Sequence, residues 1–371
     1  MESNADLHIH SPYSMAVSPR MTPLAILETC AIKGITTIAT GDALHPEWQK
    51  RWADFLENEQ GITVVPSAEI EGAARVHHLI LSEDFAVCEN IASRLSPFSK
   101  NIGTGGRPQI RLSGVEIARA VHEEGGFIGP AHAFTPWTGI YAHYNSMPAC
   151  YGSERPDFLE LGLSADSSYG AGIHELCDVP FLSNSDAHSP SPLKIGREFN
   201  RIRIRKAGAR ETIESIRRGD ILMNAGFFPE EGKYNRTACT RCFQQYSAAV
   251  AESNGWRCPQ DGGRIKKGVR DRALELSDTA PSRRPPYLHI IPLGEIIRTC
   301  LGMGSPETRK CQQLYCALID QLGNEISILI DVPVSDIAGI DGRVAAAIAA
   351  FRSGEITLVP GGGGKYGSFS F

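Results

Sequence analysis

The stretch DLHIHSPYS, residues 6–14, decides how the rest of the chain is read. A strand over Ala5–Ile9 places His8 and His10 on one face, because strand side chains alternate with period two. The stretch SNSDAHSP, residues 183–190, repeats the geometry with Asp186 and His188. Between the two, short apolar runs alternate with helical segments. Thr22–Lys33 has helical spacing, with Pro at an early position and Gly34 as its stop. A strand over Ile35–Thr40 ends in Gly41-Asp42. A helix over Glu47–Gln60, strands over Ile62–Pro66 and Val76–Leu81, a helix over Ser113–Glu124 and a strand over Phe127–Pro130 follow. Apolar Phe158–Leu161 and Phe181–Asn184 and a helix over Arg210–Arg218 complete the pattern. This is the grammar of α/β units around a largely parallel sheet, closed or nearly closed. His8, His10, Asp42, Glu69, His132, Asp186 and His188 all fall at strand ends, and strand ends on one rim of a barrel converge however remote they are in sequence.

The ligand types carry chemistry. Imidazoles suit zinc or manganese, whereas carboxylates bridge ions and hold magnesium or manganese. Two or three neighbouring ions polarise a phosphate oxygen, activate water and stabilise a leaving oxygen, so hydrolysis of a phosphate ester is the reaction this set serves best. Asp186 is the first choice for the catalytic carboxylate, bridging ions or orienting the attacking water; its bland alternative is a strand-end turn residue. His77 and His78 face opposite ways in a strand, so only one can join the site, and spacing does not decide which. His45 is either an orienting residue or a surface histidine. His122, His143, His174 and His289 read as structural or surface residues.

With 371 residues, two or three domains are expected. Hydrophobic residues at 42% and charged residues at 21% exclude a disordered chain. A formal charge of -5 does not by itself advertise a nucleic-acid binder, but local balance differs. Lys194–Arg210 holds seven basic residues against one acid, and Glu231–Arg272 nine against four. Either run serves equally as a solvated face. No signal pattern opens the chain and no apolar stretch is long enough to cross a membrane, so a cytoplasmic location with no membrane partner is expected. Of ten cysteines, three group as metal-ligand candidates.

After about residue 225 the grammar changes. Cys239-x-x-Cys242 and Cys258-x-x-Asp261 lie amid Gly and basic residues with little apolar content, and a segment so small needs a structural metal to supply its folding energy. Beyond it come a helix over Arg309–Leu322, a strand over Glu325–Ile330, a helix over Gly342–Ser353 and a strand over Ile356–Val359. The glycine-rich tail reads as a flexible turn bearing Lys365. It is no P-loop, since Lys365 is followed by Tyr366.

The stretches DLHIHSPYS (6–14), GDALHPEW (41–48), PSAEI (66–70), GPAHAFTPW (129–137) and SNSDAHSP (183–190) resemble the PHP (polymerase and histidinol phosphatase) superfamily. That resemblance implies a distorted (β/α)7 barrel with a trinuclear metal centre. It makes His8, His10, Glu69, His132, Asp186 and His188 ligands, favours His78 over His77, and gives Asp42 the metal position of a histidine. No counterpart of a further histidine stands between Ser11 and Arg20, which implies a weaker or differently ligated third ion. With TACTRC (237–242), GWRCPQDGGRIKKGVRDR (255–272), RPPYLHIIPLGEII (284–297) and PGGGGKYG (360–367) included, nearly the whole chain resembles the endonuclease Q family. The resemblance implies a PHP barrel over 1–225, a zinc-binding minidomain over 226–272 and an α/β or mainly helical DNA-binding domain over 273–371. It implies incision of DNA on the 5' side of uracil, hypoxanthine or an abasic site, and one structural zinc held by Cys239, Cys242, Cys258 and Asp261. Damaged DNA is the implied partner and a sliding clamp a further candidate. Phosphate contacts are expected from the insert and from Arg201, Arg203, Arg205 and Lys206. A base hidden in a duplex must flip to be read, with Tyr13, Trp137, Tyr141, Tyr144 and Tyr169 as stacking candidates and Phe134–Trp137 as a pocket wall. The main rival reading is a small-molecule phosphatase on the same barrel; a non-catalytic nucleic-acid-binding protein is the third.

Overall fold

A computed structural model describes residues 1–371. The first half is built from β1 (Glu2–Asp6), α1 (Pro23–Lys33), β2 (Thr37–Ala39), α2 (Pro46–Ala53), β3 (Thr63–Val65), β4 (Ser67–Glu71), β5 (His77–Leu81), α3 (Phe85–Leu95), α4 (Gly114–Glu123), β6 (Phe127–Pro130), α5 (Met147–Tyr151), β7 (Leu159–Glu160), α6 (Ser167–Ala171) and β8 (Phe181–Leu182). Helix α1 shows how local signals set the ends. The Thr22 hydroxyl accepts from the Ala25 N–H, Pro23 occupies the first turn, and Gly34 closes the helix at φ +87. Its inner face buries Ile26, Leu27 and Cys30. Helix α2 stops at Ala53 rather than Gln60. The Asn58 side chain bonds the Phe55 carbonyl and both backbone groups of Ile62, and that local turn competes with further helix.

The chain continues through β9 (Phe199–Arg203), α7 (Ala209–Arg217), β10 (Ile221–Gly226), β11 (Ala238–Cys239), α8 (Ala248–Ser253), β12 (Ile265–Lys266), α9 (Val269–Leu276), β13 (Tyr287–His289), α10 (Leu293–Cys300), α11 (Arg309–Leu322), α12 (Glu325–Ile330), α13 (Val334–Ala338), α14 (Gly342–Ser353), β14 (Thr357–Val359) and β15 (Ser368–Ser370). One sheet has the order β13-β10-β9-β1-β2-β3, a second β4-β5-β6, and a third β7-β8. Backbone hydrogen bonds link them in turn: Ala43 N–H to Ser67 O, Ala133 N–H to Glu160 O, and His10 N–H to Ala187 O. The pairing is mixed rather than largely parallel. β4, β5 and β6 pair antiparallel, and β9 runs against both β1 and β10; the short β4–β5 connection, with no crossover α-helix, allows only the antiparallel arrangement for that pair.

Glu325–Ile330 is a helix, not a strand. The run EISILI is too short for periodicity to separate the two, and the Asn324 side chain caps it by accepting from Ser327 N–H at 3.0 Å. The C-terminal helices share a core with the first half: one 32-residue cluster includes Ile26, Leu27 and Cys30 of α1 together with Ile296, Leu318, Leu329 and Ile348. The insert instead has a core of only four buried residues, Cys239, Ala251, Cys258 and Ile265. The glycine-rich tail is packed, not a free turn. Gly361 N–H bonds Glu230 O and Gly364 N–H bonds Lys233 O. At Gly363, with φ +66, a Cβ would stand 2.1 Å from Cys239 O, which only glycine avoids.

Candidate metal centre

The motifs DLHIHSPYS and SNSDAHSP are laced together. Ile9 and Ala187 form a parallel bridge, so His8 and His10 lie beside Asp186 and His188. Asp42, His132 and Asp186 adopt left-handed backbone conformations, at φ +47, +31 and +48. Asp and His enter that region more readily than most residues, and all three stand past the end of a strand; His132 and Asp186 turn toward one point, and Asp42 turns behind His10.

Glu69 occupies that point. Its Oε1 is 2.8 Å from both His77 Nδ1 and His132 Nε2 and 4.0 Å from His8 Nε2. Its Oε2 is 3.5 Å from His10 Nε2 and accepts from Arg107 Nη1 at 3.0 Å. Asp186 Oδ1 lies 3.1 Å from His10 Nε2, 3.9 Å from His8 Nε2 and 3.7 Å from His188 Nδ1. The potential ligand atoms form three overlapping groups: His8, His10 and Glu69; His10, Asp186 and His188; and Glu69, His77 and His132. His8 Nε2 is buried without a hydrogen-bond partner, as is His132 Nδ1. An orphaned ring nitrogen facing two carboxylates is what a cation site requires, since buried polar atoms otherwise find partners.

The electrostatics fit a cation as well. Burial opposes charge on Glu69, but His77, His132 and His8 hold its carboxyl well below the usual range. Burial likewise works against Asp186, and His10, His8 and His132 outweigh it and lower the group. His8 suffers the same burial penalty, yet Glu160, Asp186 and Glu69 lift it to about 9. Protons thus take the place of positive charge that the carboxylates demand.

Two expected ligands stand elsewhere. Asp42 points its Oδ1 at His10 Nδ1, 3.3 Å away, and its Oδ2 accepts from Ser11 and Ser14. Both oxygens are spent holding the histidine and its loop, so Asp42 orients His10 from behind. His78 lies on the far face of β5, bonding Tyr151 OH at 2.7 Å, with burial driving it down to about 3. His77 is the residue that reaches Glu69, because strand alternation gives the inner face to one of the pair. His45 stacks on Tyr13 at 3.8 Å and stays out of the group. Sequence reasoning missed Glu160 and Arg107. Glu160 carries one signal, a carboxylate inside the apolar run Phe158–Leu161; Arg107 carries none, because it arrives on a loop.

The centre opens into a cleft of about 830 Å³, walled on the cationic side by Arg107, Lys194, Arg197 and Lys233 and on the aromatic side by Trp137, Tyr234 and Tyr366. The run Arg201, Arg203, Arg205 and Lys206, expected to contact phosphates, lies away from the metal centre. Arg203 pairs with Glu2 at the start of β1, about 20 Å from His8 at ~3.3 Å per residue. Of the stacking candidates, Trp137 faces the cleft with Lys266 Nζ 3.9 Å above its ring. Tyr141 is core, bonded to Glu175, and Tyr169 bonds Asn235 of the insert. Within 134–137, Phe134 is buried against Tyr141, and the other three residues line the cleft.

In the insert, the donor atoms of Cys239, Cys242, Cys258 and Asp261 all lie within 4.8 Å of one another. Cys242 Sγ and Cys258 Sγ are 3.6 Å apart, and Cys239 Sγ is 3.3 Å from Asp261 Oδ1. Zinc–sulfur bonds of ~2.3 Å give a tetrahedron edge of about 3.8 Å, so the four donors fit such an ion.

Comparison with known proteins agrees with this geometry. The MJ0043 C-terminal domain family matches residues 292–355. The MJ0043 protein of Methanocaldococcus jannaschii is 44% identical over 248 residues, 65% of this chain but only 31% of that longer protein. The YqxK protein of Bacillus subtilis is 30% identical over 98% of both chains. The crystal structure of the lesion-specific endonuclease PfuEndoQ from Pyrococcus furiosus superposes with a TM-score of 0.96 at 43% identity, covering 100% of this chain and 96% of that one. Endonuclease Q in complex with a 27-mer duplex substrate bearing an abasic lesion at its active site gives a TM-score of 0.96 at 42% identity, over 100% and 97% of the two chains.

Proposed function

Because this chain belongs to the endonuclease Q family of the PHP superfamily, we propose that it is a metal-dependent DNA-repair endonuclease that incises the strand 5' to uracil, hypoxanthine or an abasic site. The observation that carries this reading is the set of three overlapping ligand groups at the floor of a cation-walled cleft. His8, His10, Glu69, His77, His132, Asp186 and His188 would hold two or three divalent ions, drawn from zinc, manganese and magnesium. Ions so bound supply Lewis acidity for the scissile phosphate and lower the pKa of a water.

The chain's own side chains do the rest. Glu69 belongs to two of the three ligand groups, and His10 joins it to the third. Asp186 is the catalytic carboxylate: Oδ1 faces the histidines, while Oδ2 accepts no hydrogen bond from the protein and is left to orient the attacking water. Arg107, Lys194 and Arg197 offer cations to the phosphate groups, and Trp137 offers a stacking face with Lys266 over it. The hydrogen bonds that join the three sheets support a closed, distorted (β/α)7 barrel over 1–225. The thin core of 226–272 and its four clustered donors support a structural zinc there, and the helices within 273–371 form the third region, braced against the barrel.

The test uses end-labelled duplexes carrying one uracil, hypoxanthine or abasic position, incubated with Mn²⁺, Mg²⁺ or Zn²⁺ in turn. Product mapping is expected to place the break 5' to the lesion. Hydrolysis of a phosphomonoester with no nicking of any duplex would overturn the reading in favour of a small-molecule phosphatase.

A further inference from the structure

Glu160 ends β7 fully buried, and every hydrogen bond it accepts comes from a fixed donor. Its two oxygens each lie 3.0 Å from His8 Nδ1. Oε2 also accepts from the His132 backbone N–H at 2.7 Å, and Oε1 from Asn184 Nδ2 at 2.8 Å. One carboxylate thus grips two of the proposed metal ligands, which arrive on different strands.

Behind it stands a line of buried amides whose orientation is forced. Asn184 Oδ1 must face the Leu7 N–H, 3.0 Å away, which turns its Nδ2 to Glu160. Asn200 Oδ1 must face the Ser183 N–H at 2.8 Å, which turns its Nδ2 to Asn184 Oδ1 at 2.9 Å. Asn224 Nδ2 then donates to Asn200 Oδ1 at 2.8 Å. All three amides hand their donors in one direction, from β10 through β9 to Glu160, and none can flip without setting donor against donor or, at Asn224, acceptor against acceptor.

We propose that Glu160, held by the Asn224–Asn200–Asn184 line, is the positioning residue that fixes the tautomer and aim of His8 and the backbone of His132 for metal binding. The inference rests on the metal-centre reading above. An acceptor-only carboxylate at His8 Nδ1 keeps the proton there, so Nε2 presents its lone pair to the site. Glutamine cannot replace it, since one amide NH₂ must then oppose either Asn184 Nδ2 or the His132 N–H.

The test is Mn²⁺ binding by the full-length protein, measured by titration calorimetry alongside thermal melting of the metal-free form. Glu160→Gln is expected to weaken Mn²⁺ binding by about 10–100-fold. Adding Asn184→Asp, which supplies an acceptor to the new amide, is expected to recover most of the loss, a rescue that general loosening of the fold does not produce. Should Glu160→Gln fail to fold, Glu160→Asp keeps both acceptors but withdraws them by one methylene, and is expected to weaken binding in the same direction. Wild-type Mn²⁺ affinity in the folded variant overturns the positioning role. Absence of lesion incision by the wild-type protein overturns the endonuclease reading instead, and the Mn²⁺ comparison still decides the role of Glu160.

Discussion

Lys33 on α1 and Glu325 on α12 form an ion pair at 2.6 Å with both side chains 1% exposed, and it joins α1 to the C-terminal helices. Glu325 also accepts from Tyr315 OH at 2.6 Å and from Leu293 N–H at 3.0 Å. At that separation and an effective dielectric of ~20, the attraction is about 6 kcal/mol. Withdrawing the two ions from water costs several kcal/mol each, about as much in total, so the intact pair contributes little net stability compared with apolar packing. Removing one partner is a different matter. Lys33→Met leaves a carboxylate still solvated by two hydrogen bonds, which points to the lower end of the ~3–5 kcal/mol range for broken buried pairs; Glu325→Gln leaves an ammonium facing one amide oxygen, which points to the upper end. The double variant carries no buried charge: the Gln oxygen accepts from Leu293 N–H, and its NH₂ donates to the Tyr315 hydroxyl oxygen, which turns its own proton away. It is expected to be more stable than Glu325→Gln alone by about 2 kcal/mol or more. Urea unfolding followed by circular dichroism measures all three. Strictly additive losses, or a cost below about 1 kcal/mol for either single change, would refute the reasoning.

Asp186→Asn removes the proposed catalytic carboxylate, and incision of a uracil duplex should fall by about 100-fold or more while the melting temperature holds; undiminished nicking rules out the assignment. His77→Ala should lower Mn²⁺ occupancy, whereas His78→Ala should leave occupancy intact and cost about 1–3 kcal/mol by stranding the buried Tyr151 hydroxyl; the reverse pattern would restore His78 as the ligand. The His8 group stands at about 9 in the metal-free fold, above its ordinary value of ~6.5. The proton it holds therefore stabilises that fold fully below about pH 6.5, and the contribution is lost as the pH rises through about 9. Because a divalent ion must displace that proton, apparent Mn²⁺ affinity should rise by up to about tenfold per pH unit between pH 6 and 9 for each proton released; titrations at three pH values check this, and a flat profile refutes it. Cys258→Ser should abolish stoichiometric zinc in the insert and make 226–272 the first segment cut by protease, with Asp261→Ala lowering zinc affinity less severely; zinc content unchanged in Cys258→Ser would remove the tetrahedral site.

The paired motifs around His8 and Asp186 were legible as histidine and carboxylate pairs, but the strand expected to carry His8 stops at Asp6, β8 stops at Leu182, and the Ile9–Ala187 bridge is what sets the two pairs side by side. The α/β alternation, the caps of α1, the full extents of α11 and α14, and the cysteine pairs of the insert were readable because each is set by neighbours within a few residues. Short apolar runs were not. EISILI fits a strand or a helix equally, and only Asn324 at its cap and Lys33 across the interface decide for helix.

Which residue of a legible pair faces inward is a tertiary matter, because it depends on what covers the other side. His77 and His78 are neighbours in one strand, and the choice between them follows from Glu69 on one face and Tyr151 on the other. Asp42 sits where a ligand was expected but spends both oxygens on His10, Ser11 and Ser14, contacts made across a gap of some thirty residues. The basic run 201–206 was visible as charge, but strand direction carried it to the far end of β1. Local order along the chain fixes periodicity and caps; burial, tautomer and direction arise only when distant strands meet, since each is set by a partner that the neighbouring sequence does not contain.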